Sequence, residues 1–111
     1  MSPFNKFATV RLIKPSTVRQ WAAENAPAGP ALDNWTVKIR AAKWSRFEDI
    51  RKTFRSADQV RVKSGKNVIV FNIAGNNFRL IAAVHYNRSK IYALKFMTHA
   101  EYTKNTWKNE L

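Results

Sequence analysis

The sequence predicts an α+β domain: an antiparallel β-sheet meander with two to three N-terminal helices packed on one face. Three observations predict it. Apolar residues recur at helical spacing through Phe54, while β-branched and aromatic runs separated by short turn signals take over from Val60. With 45% apolar and 13% aromatic residues in 111, the chain has the material for one buried core. That length suits a single domain, 1–111, with a short leader (1–7) and a C-terminal tail (103–111).

The elements follow in order. Phe7 to Ile13 is short and β-branched, which predicts a strand, and Pro15 stops it. Ser16 is the expected N-cap of a helix over Thr17–Glu24, which Ala26-Pro27-Ala28-Gly29-Pro30 breaks. A second helix from about Ala31 lays Leu32, Trp35, Ile39 and Ala42 on one stripe. Ser45 and Glu48 have capping-box spacing, and Phe47, Ile50 and Phe54 form the stripe of a third helix. All three stripes read as core. Strands are then expected at Val60–Lys63 and Lys66–Ile73 around a two-residue turn at Ser64-Gly65. Asn77–Tyr86 follows the Gly75-Asn76 turn, and Lys90–Thr98 follows Asn87-Arg88-Ser89. The polar tail from His99 is expected to be a short helix or a frayed end. Trp35 belongs in the core; Trp21, Trp44 and Trp107 fit either core or contact surface.

Twenty Lys and Arg against seven Asp and Glu leave a net charge of +13. So large a surplus repels itself in a compact chain and points to a polyanionic partner: nucleic acid, an anionic membrane face or an acidic protein. From Gln59 to Ala100 there is no acidic residue, but Arg61, Lys63, Lys66, Arg79, Arg88, Lys90 and Lys95 are all present. A solvated basic surface is the bland alternative.

Strand alternation decides which of these meet. A two-residue turn at Gly75-Asn76 sets Asn72 opposite Arg79, with Phe71–Leu80 and Ile73–Phe78 on the other, helix-covered face. A three-residue turn at Asn87-Arg88-Ser89 keeps Tyr92, Leu94 and Phe96 on the helix side and puts Lys95 and Met97 beside Ile81 and Arg79. One face is then apolar. The other collects Asn72, Arg79, Lys95 and His99, joined by Arg61 and Lys63 through the Ser64-Gly65 turn. Clustered cations of this kind hold phosphate oxygens and favour a dianionic or pentacoordinate phosphoryl centre. Equally, they fit the solvated side of an antiparallel sheet. His99 and Tyr102, three apart on a helical turn, pair an imidazole with a phenol, whereas His85 reads as an edge residue.

Other chemistries find little footing. Cys is absent, which removes disulfides, thiolate zinc and Cys nucleophiles, and suits a reducing cytosol. The two His are fourteen apart and the carboxylates scattered, so no metal site is expected. There is no Gly-rich phosphate loop and no nucleophile elbow. Lys or Arg interrupts every hydrophobic run, so no membrane span is expected, and Met1–Phe7 lacks the apolar stretch of a secretory signal. Any catalysis should be phosphate-directed, without metal or other cofactor.

The run Phe71-Asn72-Ile73-Ala74-Gly75-Asn76-Asn77-Phe78-Arg79-Leu80-Ile81-Ala82, followed by Met97-Thr98-His99-Ala100-Glu101-Tyr102, resembles the HigB family of RelE-like toxins of type II toxin–antitoxin systems. Phe54–Arg61 is similar to that family's link from helix to first hairpin. The resemblance covers about residues 44–104 and is looser before them. It implies a cytoplasmic, ribosome-dependent mRNA endonuclease acting without metal through attack of the ribose 2′-OH, leaving a 2′,3′-cyclic phosphate. It also implies a HigA-like antitoxin, with operator DNA bound only through the toxin–antitoxin complex. Carried onto this chain, Arg79 would stabilise the phosphorane, Lys95 or Lys63 would assist, His99 would transfer protons, and Tyr102 would stack or assist. Asn72 would orient the guanidinium or contact ribose, and Arg61, Lys63, Lys66 and Arg88 would contact RNA. The rivals are a non-catalytic basic RNA-binding module, a toxin of the same fold aimed at DNA gyrase, and a degenerate toxin kept for its antitoxin contacts.

Overall fold

The computed structural model describes residues 8–111, so the expected leader, and Phe7 at the start of the expected first strand, lie outside the described residues. The order is β1 (Arg11–Ile13), α1 (Pro15–Glu24), α2 (Gly29–Ala41), α3 (Phe47–Thr53), β2 (Asp58–Arg61), β3 (Asn67–Ile73), β4 (Phe78–His85), β5 (Lys90–Thr98) and α4 (His99–Thr103). Short 3₁₀ turns lie at Ala26–Ala28, Tyr86–Arg88 and Thr106–Glu110. The sheet runs β1-β5-β4-β3-β2. β2 to β5 form the expected meander, but β1 joins parallel to β5, so the sheet is mixed. None of the described helices is long and apolar enough to cross a membrane.

The three helical stripes do become core. Val18, Leu32, Trp35, Ile39 and Ile50 pack with Ile69, Phe71, Leu80, Ala82 and Ile91 on one sheet face, and Trp44 and Phe54 close over Phe71. The helix ends depart from expectation. Pro15, not Ser16, opens α1: its fixed φ suits the first helical turn, and Lys14 precedes it at φ 56°. The Ser45/Glu48 capping box does not form; the Ser45 N–H instead donates to the Asp49 carboxylate at 2.8 Å. A capping box does close at α4, between Thr98 and Glu101.

Two turns reset the register. Val62 N–H donates to Lys66 O at 2.9 Å, leaving a three-residue loop, Lys63-Ser64-Gly65, with Gly65 at φ 90°. Val60 and Val62, rather than Arg61 and Lys63, therefore face the second side of the sheet. The β4–β5 connection has four residues, so His85 pairs with Lys90 and Ala83 with Tyr92. Leu94 is then extra. This bulge restores the expected pairs Ile81–Lys95, Leu80–Phe96 and Arg79–Met97. Between turn and bulge the faces are exchanged: Ile91 and Ala93 face the helices, while Tyr92 and Leu94 are 36% and 38% exposed.

The second face is not simply solvated. Val62, Val68, Val70, Ile81 and Met97 form a smaller core, capped by Trp107 with Tyr102 and Leu111 beside it. The tail is therefore docked, not frayed. Trp107 Nε1 donates to Tyr102 O at 3.0 Å, Lys63 N–H donates to Lys108 O at 3.1 Å, and Lys95 pairs with Glu110.

Candidate active site

The β3–β4 turn and the start of α4 meet on the second face. Ala74 and Gly75 both take positive φ, 54° and 66°, so the chain reverses tightly before Phe78. Arg79 then points away from the helices, opposite Asn72 as the register predicts. It is only 7% exposed. Its Nη1 donates to Asn76 O at 3.2 Å and Phe78 O at 3.0 Å, and its Nη2 donates to Asn76 Oδ1. Nη2 also lies 3.0 Å from His99 Nδ1, twenty residues along the chain.

His99 reaches this point because β5 ends beside the turn. Its backbone N–H donates to Asn77 O at 2.9 Å. Thr98 Oγ1 accepts from Glu101 N–H at 3.2 Å, and the Glu101 carboxylate accepts back from Thr98, locking the first turn of α4. One turn on, the Tyr102 ring sits beneath the guanidinium with 5.6 Å from Cζ to its centroid. Trp107 stacks on Tyr102 at 5.3 Å and 20°.

The electrostatics follow from the donor inventory. A guanidinium has five N–H groups and no acceptor, so in this contact Nδ1 of His99 is the acceptor. Four of those five N–H groups have partners, all uncharged. No carboxylate among the described residues forms an ion pair with Arg79, which leaves a shielded cation uncompensated. The Tyr102 phenol is pushed above its usual range, first by burial and then by the Asp58 charge, against a smaller opposing effect of Arg79. It stays protonated at neutral pH.

Of the residues expected at the site, Arg79, His99 and Tyr102 lie together. Asn72 is exposed opposite Arg79, but the side chain that holds the guanidinium is that of Asn76. Lys95 is paired with Glu110 and lines a hollow of about 330 Å³ that holds neither Arg79 nor His99. Arg61, Lys63 and Lys66 sit around the β2–β3 turn, about 16 Å along β3 from Asn72. Arg88 is exposed in the β4–β5 turn, at the opposite end of β4 from Arg79. Among the described residues, no group of three His, Asp or Glu side chains is placed to hold a metal ion.

Asn76, Asp58 and Trp107 complete the site unannounced. Asn76 reads in sequence as a turn residue only, although it stands three before Arg79, where a tight reversal brings it back. Asp58 opposes Val70 on the second face, a position set by the three-residue loop.

No curated protein matches the chain. A family profile described as HigB toxin, the RelE-like toxic component of a toxin–antitoxin system, does match, over residues 28–105. That span takes in α2, α3, the whole meander and α4, and with them every residue around Arg79 except Trp107. By that match and by the side chains gathered within it, the chain belongs to the HigB family of toxins.

Proposed function

We propose that this toxin is a ribosome-dependent mRNA endonuclease that works without metal at Arg79, His99 and Tyr102. The observation that carries the reading is the 3.0 Å contact between His99 Nδ1 and Arg79, a cation with no ion-pair partner among the described residues. A phosphodiester supplies the missing anion.

In the proposed step the ribose 2′-O bonds to phosphorus, the P–O5′ bond breaks, one proton leaves the 2′-OH and one reaches O5′. No water is consumed. The products are a 2′,3′-cyclic phosphate and a 5′-OH. His99 is the base. When phosphate draws Arg79 Nη2 away, the Nδ1 lone pair is released for the 2′-OH proton. Tyr102, still protonated, donates toward the leaving oxygen. Arg79 stabilises the phosphorane, a role for which fixed donors in a shielded site are suited. Asn76 and the Thr98–Glu101 cap hold this geometry. Lys95, engaged by Glu110, acts outside it. Arg61, Lys63, Lys66 and Arg88, with Asn72, give RNA contacts away from the reacting atoms, and the +13 charge favours ribosomal RNA as the docking surface.

Family membership implies an antitoxin partner. We place a HigA-like protein in that role, with operator DNA reached through the complex.

The test is induction of the toxin in cells followed by mapping of mRNA 5′ ends. New ends bearing 5′-OH should appear with wild type, vanish with His99→Ala, and persist in translation extracts in which zinc and other transition metals are chelated while Mg²⁺ is kept for the ribosome. Intact mRNA and continuing translation in cells holding soluble wild-type protein would refute the proposal. RNA binding without new ends would leave a non-catalytic RNA-binding module.

A further inference from the structure

The exchange of faces between the β4–β5 turn and the Leu94 bulge brings two large apolar side chains into the open. Among the described residues, Val37, Tyr92 and Leu94 are the exposed large hydrophobic ones, and two of these share one short stretch of one strand. Without the four-residue turn, Tyr92 would face the helices. Bulges commonly re-aim a side chain in this way.

What surrounds Tyr92 on that face is cationic. Register sets Ile13 beside Tyr92, and Arg11 beside Lys90, which in turn pairs with His85. The His85 ring meets Tyr92 edge-on at 5.2 Å and 76°, fixing the phenol ring. Arg88 is exposed in the adjoining turn. No acidic residue occurs in residues 1–23 or 59–100, so neither segment forming this patch carries a carboxylate. Glu48 and Asp49 do approach the β4–β5 turn, but they act on Tyr86, which packs into the helix-covered core.

The patch also shares a sheet face with the candidate active site. Both lie on the second face of β5, Tyr92 about 15 Å along the strand from Met97, the partner of Arg79. The hollow of about 330 Å³ beside β5 lies within that interval, lined by Leu94 to Met97, Trp107 and, from the helix side, Trp21, and it reaches neither Tyr92 nor Arg79. The carboxylates on its wall are engaged: Glu110 by Lys95 and Glu101 by the Thr98 cap.

We propose that the Tyr92 face is a single-stranded RNA subsite, which takes a base of the same strand whose phosphate lies at Arg79 and His99. An open aromatic ring held by a second ring stacks on a base, and flanking cations follow the backbone. A flat sheet surface suits this ligand better than a helix, which seeks a groove. The inference rests on the reading of this toxin as acting on RNA, and it adds where the substrate strand runs.

Fluorescence anisotropy with a labelled 2′-O-methyl RNA decamer, which cannot be cleaved, tests it apart from catalysis. Tyr92→Ala should raise the Kd about tenfold, while Tyr92→Phe stays within about twofold, since stacking needs the ring and not the hydroxyl. The double variant Arg11→Gln/Lys90→Gln should flatten the plot of log Kd against log salt by about 1.4, at 0.7 per phosphate contact. This variant keeps both strands' apolar residues, so it reports even if Tyr92→Ala folds poorly. Wild-type decamer affinity in Tyr92→Ala would overturn the proposal, as would an unchanged salt slope in the double variant. So would loss of binding to poly-glutamate with decamer binding intact, which would make the patch a face for an acidic protein. Cleavage by wild type with Tyr92→Ala binding unchanged sinks this subsite alone; absence of cleavage with Tyr92-dependent binding sinks only the catalytic reading.

Discussion

Asn76 is the position at which stability and activity should separate. Its side chain accepts from Arg79 Nη2, and its backbone oxygen accepts from Nη1. Asn76→Ala keeps the backbone acceptor and removes the other, leaving one N–H of a 7% exposed guanidinium without a partner. An unmet buried donor costs about 1–3 kcal/mol. At roughly 4 °C per kcal/mol for a domain of this size, the midpoint should fall by about 4–12 °C. Asn76→Asp should do the opposite. Residue 76 is exposed, so a carboxylate there stays hydrated while it pairs with Arg79, for a gain of up to about 1 kcal/mol. The same carboxylate neutralises the charge on which phosphate binding depends, and cleavage should drop by about 10²–10³, the scale of a lost transition-state donor. Circular dichroism melting and primer extension on a translated message measure the two quantities on the same preparations. An Asn76→Asp protein that cleaves like wild type would refute the role given to the Arg79 charge; one that melts well below wild type would refute the assigned geometry.

Three further outcomes follow from the same contacts. Trp107→Ala should cost about 3–5 kcal/mol in urea denaturation, because it uncovers the second core and removes the stack under Tyr102. Thr98→Ala should cost about 1 kcal/mol by the same measurement and lower cleavage by more than that loss of fold explains, since the cap sets the position of His99. Among the described residues the buried Tyr86 hydroxyl has no hydrogen-bond partner, and burial first, then Glu48 and Asp49, push its phenol up to about 12. The folded chain therefore keeps this proton above the unfolded value near 10, so the contribution is intact below pH 10 and is lost as pH rises toward 12. Tyr86→Phe should match or exceed wild-type stability at pH 8 and lose less of it by pH 11; a steeper alkaline decline in the variant would contradict the assignment.

The +13 balance, the stripe of Leu32, Trp35 and Ile39, the change of period after Asp58 and the pairing of Asn72 with Arg79 were all legible in one dimension. Apart from the charge, each rests on local spacing: helical periodicity or the alternation of two strands across a short turn. The motif around Arg79, His99 and Tyr102 was legible in the same way, as a likeness of runs.

Loop lengths and docking were decided only in three dimensions. One residue more at Lys63-Ser64-Gly65 turned Arg61 away and brought Val60, Val62 and Asp58 to the second face. One more at the β4–β5 turn, cancelled at Leu94, exposed Tyr92. In a structure of period two, a single residue reverses every side chain beyond it, and nothing local marks which turn will carry the extra one. The unbroken apolar run Val68-Ile69-Val70-Phe71 held the sign that both faces of β3 are covered. That Trp107 supplies the cover, and thereby the floor under Tyr102, depended on the tail folding back across strands far from it in the chain.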